Sequence, residues 1–139
     1  MGWNTPYISC LFRDSRNRIW AGCPNVGLAL LNTHSGGFEM VISNTNSIVS
    51  SIAEDSKGRI YYSEQGSGFS RFNPADMKSE VYTEFAKSSR KGASLTNDWI
   101  HIMMVDSWNR LWIGHDNGAD CFDIDRSEFI DNDHCPELP

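Results

Sequence analysis

Hydrophobic residues in this chain fall in short runs that alternate with polar ones at a period of two, and clusters of Gly, Asn, Asp, Ser and Pro interrupt them. That rhythm predicts short antiparallel strands joined by tight turns, and no segment carries a helical period. The predicted strands are 7–13, 18–22, 27–32 and 38–43, then 49–54, 59–63, 68–73 and 80–85, then 100–105, 110–114, 118–123 and a short 128–130.

The groups are copies of one another. DSRNRIWAGCPNVGL from Asp14, DSKGRIYYSEQGSGF from Asp55 and DSWNRLWIGHDNGA from Asp106 repeat one pattern, each behind an apolar lead-in of the same spacing (Ile8 and Leu11; Val49 and Ile52; Ile100 and Met103). The aspartates recur 41 and then 51 residues apart, a period in the range of propeller blades and too long for most helical solenoids. The expected fold is therefore all-β, a partial β-propeller of about three four-stranded antiparallel blades. Blade units are expected at 7–43, 48–85 and 99–131, with a long connector at 86–98 and a tail at 132–139.

In the turn after the first strand of each unit, Asp14, Asp55 and Asp106 are expected to fold their carboxylates onto following backbone N–H groups, while Asn17, Gly58 and Asn109 stand where the left-handed conformation is tolerated. A calcium loop or acid catalysis competes with this structural role, but an EF-hand needs closer carboxylate spacing and a glycine absent here. Trp20, Tyr61 and Trp112 share one strand position, followed two residues on by Gly22, Ser63 and Gly114. A large ring followed by a small residue suits sheets packed face to face, which is preferred over rings stacking on a sugar.

At 139 residues the chain is long enough for a real core, and 40% hydrophobic with 22% charged residues is an ordinary soluble composition. A net charge of −6 argues against nucleic acid as a partner. No apolar run is long enough to cross a bilayer, so direct membrane contact is not expected, and MGWNTPYISCLFRD lacks the pattern of a signal peptide. Cys10, Cys23, Cys121 and Cys135 show no zinc-site spacing and read as buried small apolar residues, with one disulfide still open.

The repeats resemble the two-component regulator propeller repeat, an apolar strand followed by D-x-x-G-x-L-W-I-G-T and then Gly-Leu. VDSWNRLWIGHDNGA with its lead-in LTNDWIHIMMV is nearest to that pattern; the first copy carries Ala21 and Cys23, and the second replaces W-I-G-T by Tyr61-Tyr62-Ser63-Glu64. The resemblance implies the sensor region of a hybrid two-component histidine kinase, periplasmic within a membrane-anchored parent and responsive to a carbohydrate-derived signal such as an oligosaccharide. It implies no cofactor and no catalysis. A protein-interaction scaffold is the alternative, with a propeller lyase or glycosidase relative behind it, since His34, His101, His115 and His134 fall in four different repeat contexts.

Propellers close with four to eight blades, so an open run of about three exposes an apolar face at each end. The expectation is that further blades of a parent chain cover these faces, or that the isolated chain self-associates. Because strands alternate in direction, the loops 23–26, 64–67 and 115–117 share one rim with the connectors 44–47 and 86–98, opposite the aspartate turns. A ligand site is expected at that rim, with Lys87, Arg90 and Lys91 holding an anionic group of an acidic oligosaccharide and Glu64, Gln65, His115, Asp116 and Asn117 as polar neighbours. A solvated charged loop competes with this reading. The tail gathers Asp131, Asp133, His134 and Cys135, but without a regular element to fix them no metal site is expected.

Overall fold

The computed structural model describes residues 7–43, 48–83 and 94–130. Twelve strands form three separate four-stranded sheets. The first blade comprises β1 (Cys10–Arg13), β2 (Ile19–Cys23), β3 (Gly27–Leu31) and β4 (Phe38–Ser43). The second holds β5 (Val49–Glu54), β6 (Ile60–Glu64), β7 (Gly68–Phe72) and β8 (Ser79–Tyr82), and the third β9 (Ile100–Val105), β10 (Arg110–His115), β11 (Gly118–Asp123) and β12 (Glu128–Ile130). Each sheet is a meander in chain order with antiparallel neighbours. The fold is a partial β-propeller of three blades.

Strand ends differ from expectation by a few residues. Strand β1 begins at Cys10 rather than at position 7, although the Ser9 N–H still donates to the Gly22 carbonyl at 2.9 Å. Register is pinned by turn chemistry: Asn17, Gly58 and Asn109 all adopt positive φ, at 62°, 80° and 57°, the conformation those residue types tolerate.

The first strands of the blades, β1, β5 and β9, lie side by side at the centre of the fan; the two larger cores form between blades, and a small cluster of Ala21, Cys23 and Ala29 with Val26 and Phe38 lies within the first blade. One core unites Trp20, Leu28, Phe12 and Leu30 of the first blade with Val49, Ile52, Ile60, Tyr62 and Phe72 of the second. The other unites Ala53, Tyr61, Phe69 and Tyr82 with Ile100, Met103, Leu111, Ile113, Phe122 and Phe129 of the third, and Leu95 from the connector is buried in it. Small residues let the blades approach: a Cβ on Gly22 would stand 2.7 Å from both Val49 Cγ1 and Cys10 Sγ. Face-to-face sheet packing is thus what the alternation of large and small residues achieves.

Every blade carries the same clasp at its first turn. Asp14 Oδ1 accepts from the backbone N–H of Arg16 and Arg18, both at 2.9 Å, and Oδ2 accepts from Arg18 Nε at 2.6 Å and the Trp20 indole at 2.9 Å. Asp106 repeats this with Trp108, Arg110 and Trp112. In the second blade Asp55 does the same with Lys57 and Arg59, and the Tyr61 hydroxyl, 3.0 Å away, replaces the indole N–H. The position thus calls for an aromatic ring with a donor at its end, which Trp and Tyr have and Phe lacks. The second blade keeps the clasp despite its divergent sequence.

These clasps make acid the condition that opens the fold. Burial alone would raise the Asp14 and Asp106 carboxyls, but the indole N–H, the backbone N–H groups and the guanidinium outweigh it and hold both below the ordinary 3.8. The unfolded chain therefore binds these protons at higher pH than the folded one. Their stabilisation is complete above the ordinary carboxylate range and is lost as pH falls through and below about 4. Thermal melts followed by circular dichroism should show a melting temperature that drops below about pH 4; an unchanged value down to about pH 2 would contradict the clasps' role.

Between the second and third blades lies a buried charge. Arg71 of β7 donates to Glu80 Oε2 at 2.6 Å and to Ser127 Oγ at 2.9 Å, with its guanidinium over the rings of Tyr82 and Phe122. The Tyr82 hydroxyl also donates to Glu80, holding that carboxyl below its ordinary value, while burial pushes the Tyr82 phenol up to about 12. A fully partnered guanidinium of this kind fixes the register of one blade on the next.

Candidate functional site

Placement of the rim follows from backbone contacts between loops and connectors. The β6–β7 turn reaches both of its neighbouring connectors: Gln65 N–H donates to the Ile48 carbonyl at 3.0 Å, and Gly66 and Gly68 N–H donate to the Asp98 carbonyl at 3.1 and 3.2 Å. The connector ahead of β9 is anchored to the third blade as well, since Thr96 donates through its N–H and its hydroxyl to the two Asp120 oxygens, each at 2.7 Å.

Two side chains at the start of β9 give this rim its chemistry. Trp99 is about half exposed, and its ring atoms Cε2 and Cζ2 come within 3.3 Å of where a Gly66 Cβ would stand. Gly66 has a φ of 79°, so its bare backbone serves both the turn and the close approach of the indole. Beyond it, His101 Nε2 lies 2.5 Å from Asp116 Oδ1 in an exposed pair.

His115 is differently placed. Its ring is buried, and its Nδ1 accepts from the Asn117 N–H at 3.1 Å, which puts the ring proton of the neutral form on Nε2. Nε2 faces Asp120 Oδ2 at 3.2 Å, close enough for attraction but poorly aligned for a hydrogen bond. His115 is therefore a brace for the β10–β11 turn, whereas Asp116 and Asn117 are open to solvent.

Of the residues predicted for the site, Glu64 and Gln65 stand at the β6–β7 turn and His115, Asp116 and Asn117 at the β10–β11 turn, on either side of the start of β9. Lys87, Arg90 and Lys91 lie outside the described residues, as do the tail residues Asp131, Asp133, His134 and Cys135. Sequence reasoning did not single out Trp99, His101, Thr96 or Asp120 as site residues. A Trp in an otherwise polar connector and the Asn97 side chain that caps its N–H at 2.7 Å were the available signals.

The aspartate turns face the opposite rim and are consumed by their clasps. Among the described residues, no three His, Cys, Asp or Glu come together to hold a metal. Cys23 and Cys121 are buried and Cys10 half-buried; burial raises the Cys10 thiol, and burial followed by the neighbouring Cys10 raises Cys23, so neither favours the reactive thiolate. No helix of the described residues is long and apolar enough to cross a membrane.

The sequence match to a known family is short and falls on the first blade's opening strands and clasp. Residues 2–25 match the two component regulator propeller family. Solved structures extend the likeness to all three blades. The extracellular domain of BT4673 from B. thetaiotaomicron, described as a one component and as a hybrid two component system, superposes with a TM-score of 0.70 at 20% identity over 83% of this chain and 15% of that one. The extracellular domain of the hybrid two component system BT3049 from the same organism gives 0.64 at 23% identity over 82% of this chain and 14% of its own. The WD40 repeats of RRP9 give 0.71 at 14% identity over 94% and 39%. At these identities the shared property is the propeller fold, and this chain spans only about a seventh of the B. thetaiotaomicron domains. No curated protein matches the chain.

Proposed function

We propose that this chain is a ligand-binding part of an extracytoplasmic propeller sensor, and that its ligand is a carbohydrate-derived molecule held at the connector rim. The observation that carries the reading is Trp99, a half-exposed indole seated on the Gly66 turn just ahead of β9, the strand that also carries His101 of the exposed His101–Asp116 pair. An aromatic face stacks on the C–H face of a sugar ring, and carboxylates accept its hydroxyl hydrogens. The likeness to extracellular domains of two component systems and the match at residues 2–25 support an outward-facing location in a membrane-anchored parent. The reading is of binding without turnover.

The described rim carries the carboxylates Glu64, Asp98 and Asp116, with Asp120 taken up by Thr96. That favours a hydroxyl-rich neutral face of the ligand near β9, leaving any carboxylate or sulfate to Lys87, Arg90 and Lys91. Calorimetric titration of the chain with a panel of neutral and acidic oligosaccharides is the test. Trp99→Ala should weaken binding about five- to thirtyfold, since stacking of this kind is worth on the order of 1–2 kcal/mol. The Lys87, Arg90 and Lys91 triple alanine variant should weaken only the acidic members. Equal affinity of Trp99→Ala and the parent would remove the platform from the site, and glycan turnover by the purified chain would make the protein an enzyme.

A further inference from the structure

We propose that the aspartate-turn rim of the third blade holds a separate sugar subsite, in which Trp108 is the stacking face and Arg110 the hydrogen-bond donor for one neutral sugar ring. The repeat itself marks the place. Two residues after the clasp aspartate the first blade carries Arg16 and the second Lys57, both exposed charges, whereas the third carries Trp108. Arg16 and Lys57 are exposed although another blade stands beside each of their sheets. The 55% exposure of Trp108 therefore belongs to the rim and does not depend on what lies beyond the third sheet. Its backbone is tied down, since the Trp108 N–H donates to Asp106 Oδ1 at 2.9 Å, while half of the side chain stays open to water.

Beside this indole sits a donor without a taker. The Arg110 guanidinium lies over the Trp108 ring at 5.1 Å and over the Trp112 ring at 5.5 Å, and gives its Nε to Asp106 Oδ2. Its Nη2 is buried and finds no acceptor among the described residues. The equivalent side chains of the other clasps reach water: Arg18 is 29% and Arg59 22% exposed, against 9% for Arg110. Arg110 is thus the most enclosed of the three even though the other two have a following blade beside them. What it has and they lack is the neighbouring indole at the position of Arg16 and Lys57. A buried donor left empty is destabilising, and an acceptor that arrives with a ligand on the same indole removes that penalty.

Charge selects the class of ligand. Arg110 is neutralised by Asp106 and Arg126 leans toward Asp123, which leaves Asp125, bonded to the Asn109 side chain, in no ion pair among the described residues. An incoming anion would meet this net negative turn; a neutral sugar avoids it and supplies both complements. Its C–H face lies on the indole, and a hydroxyl or ring oxygen accepts from Nη2. A protein partner needs a broad apolar centre, whereas Trp108 is bordered in the turn by the polar Ser107 and Asn109. Opening Nη2 takes a rotamer change of Trp108, which is part of neither large core. Trp99 and Trp108 lie beyond opposite ends of β9, so this site stands apart from the connector rim.

The test follows the indole and arginine N–H signals of the nitrogen-labelled full chain by NMR in the Trp99→Ala background, so that failure of the Trp99 platform leaves this site untouched. Trp108→Lys gives the third blade the residue type of Lys57; it identifies the Trp108 signal and, at an exposed position, should leave the circular dichroism spectrum unchanged. Titration with neutral gluco-, galacto-, arabino- and xylo-oligosaccharides should shift the Trp108 indole and Arg110 Nε signals together. Trp108→Lys should weaken that binding about tenfold, and Trp108→Phe, which keeps an aromatic face, by less. The uronic-acid counterpart of the bound sugar should bind more weakly than the neutral one. The proposal is overturned if no neutral sugar moves the Trp108 signal, if Trp108→Lys keeps the parent affinity, or if the uronic acid binds more tightly. End-blocked trialanine moving these signals in the sugars' place would overturn it too, and would give the patch to a protein partner.

Discussion

Replacing Asp55 by alanine should cost about 3–5 kcal/mol of folding stability, the scale expected when one partner of a buried, hydrogen-bonded charge pair is removed. The carboxylate is fully enclosed between two blades, and its loss strands the Lys57 and Arg59 N–H groups, the Arg59 guanidinium and the Tyr61 hydroxyl together. A domain is held by only about 5–15 kcal/mol in total, so the variant should melt far below the parent in urea or on heating. Asp106→Ala should cost less, because the third clasp lies at the open end and its carboxylate is 13% exposed against 0% for Asp55. Asp55→Asn should fall between, keeping an acceptor for the backbone while losing the ion pair. Equal melting of the Asp55 and Asp106 alanine variants would show that burial between blades is not what gives the clasp its strength.

The second large effect belongs to Phe69. Its ring touches both sides of the junction between the second and third blades, stacked on Tyr82 at 4.9 Å between centroids and edge-on to Phe122 and Phe129 at 5.7 and 6.2 Å. Phe69→Ala should destabilise by about 3–5 kcal/mol, the range for emptying a buried aromatic site. Because the lost contacts join two blades, the far end of the fan should loosen with them. Hydrogen exchange should then show protection falling in β9–β11 as well as in β7, and protection lost in β7 alone would mean that the blades are stabilised independently.

The repeat, the twelve strands and the face-to-face packing were legible in the sequence because all three depend on local rules: alternation at period two, turn residues at fixed offsets, and a large ring before a small residue. The clasp was only half legible. That Asp14, Asp55 and Asp106 would accept backbone N–H groups follows from short-range turn chemistry, but the donors Arg18 Nε and Trp20 Nε1 enter from the facing strand, where only the folded hairpin aligns them. Tyr61 looked like a departure from the pattern and proved to be a second way of supplying the same donor. For the site, counting strand reversals put the β6–β7 turn on the rim of its flanking connectors, and its hydrogen bonds to Ile48 and Asp98 agree with that. Trp99 and His101 escaped notice because what distinguishes them is contact with Gly66 and Asp116, on turns that lie on other strands.

Sequence alone determined the unit: a four-stranded antiparallel leaf with an aspartate turn, repeated along the chain. Only the tertiary structure decided which strand lies innermost and which copies of a position are buried. Leu11, Ile52 and Met103 are one residue in three copies, yet Leu11 is open to water and the other two are enclosed. The physical reason is that a blade has at most a small core of its own, such as the Ala21, Cys23 and Ala29 cluster of the first. Its apolar positions are buried by whatever stands next to it, and that neighbour is a property of the assembly rather than of the motif.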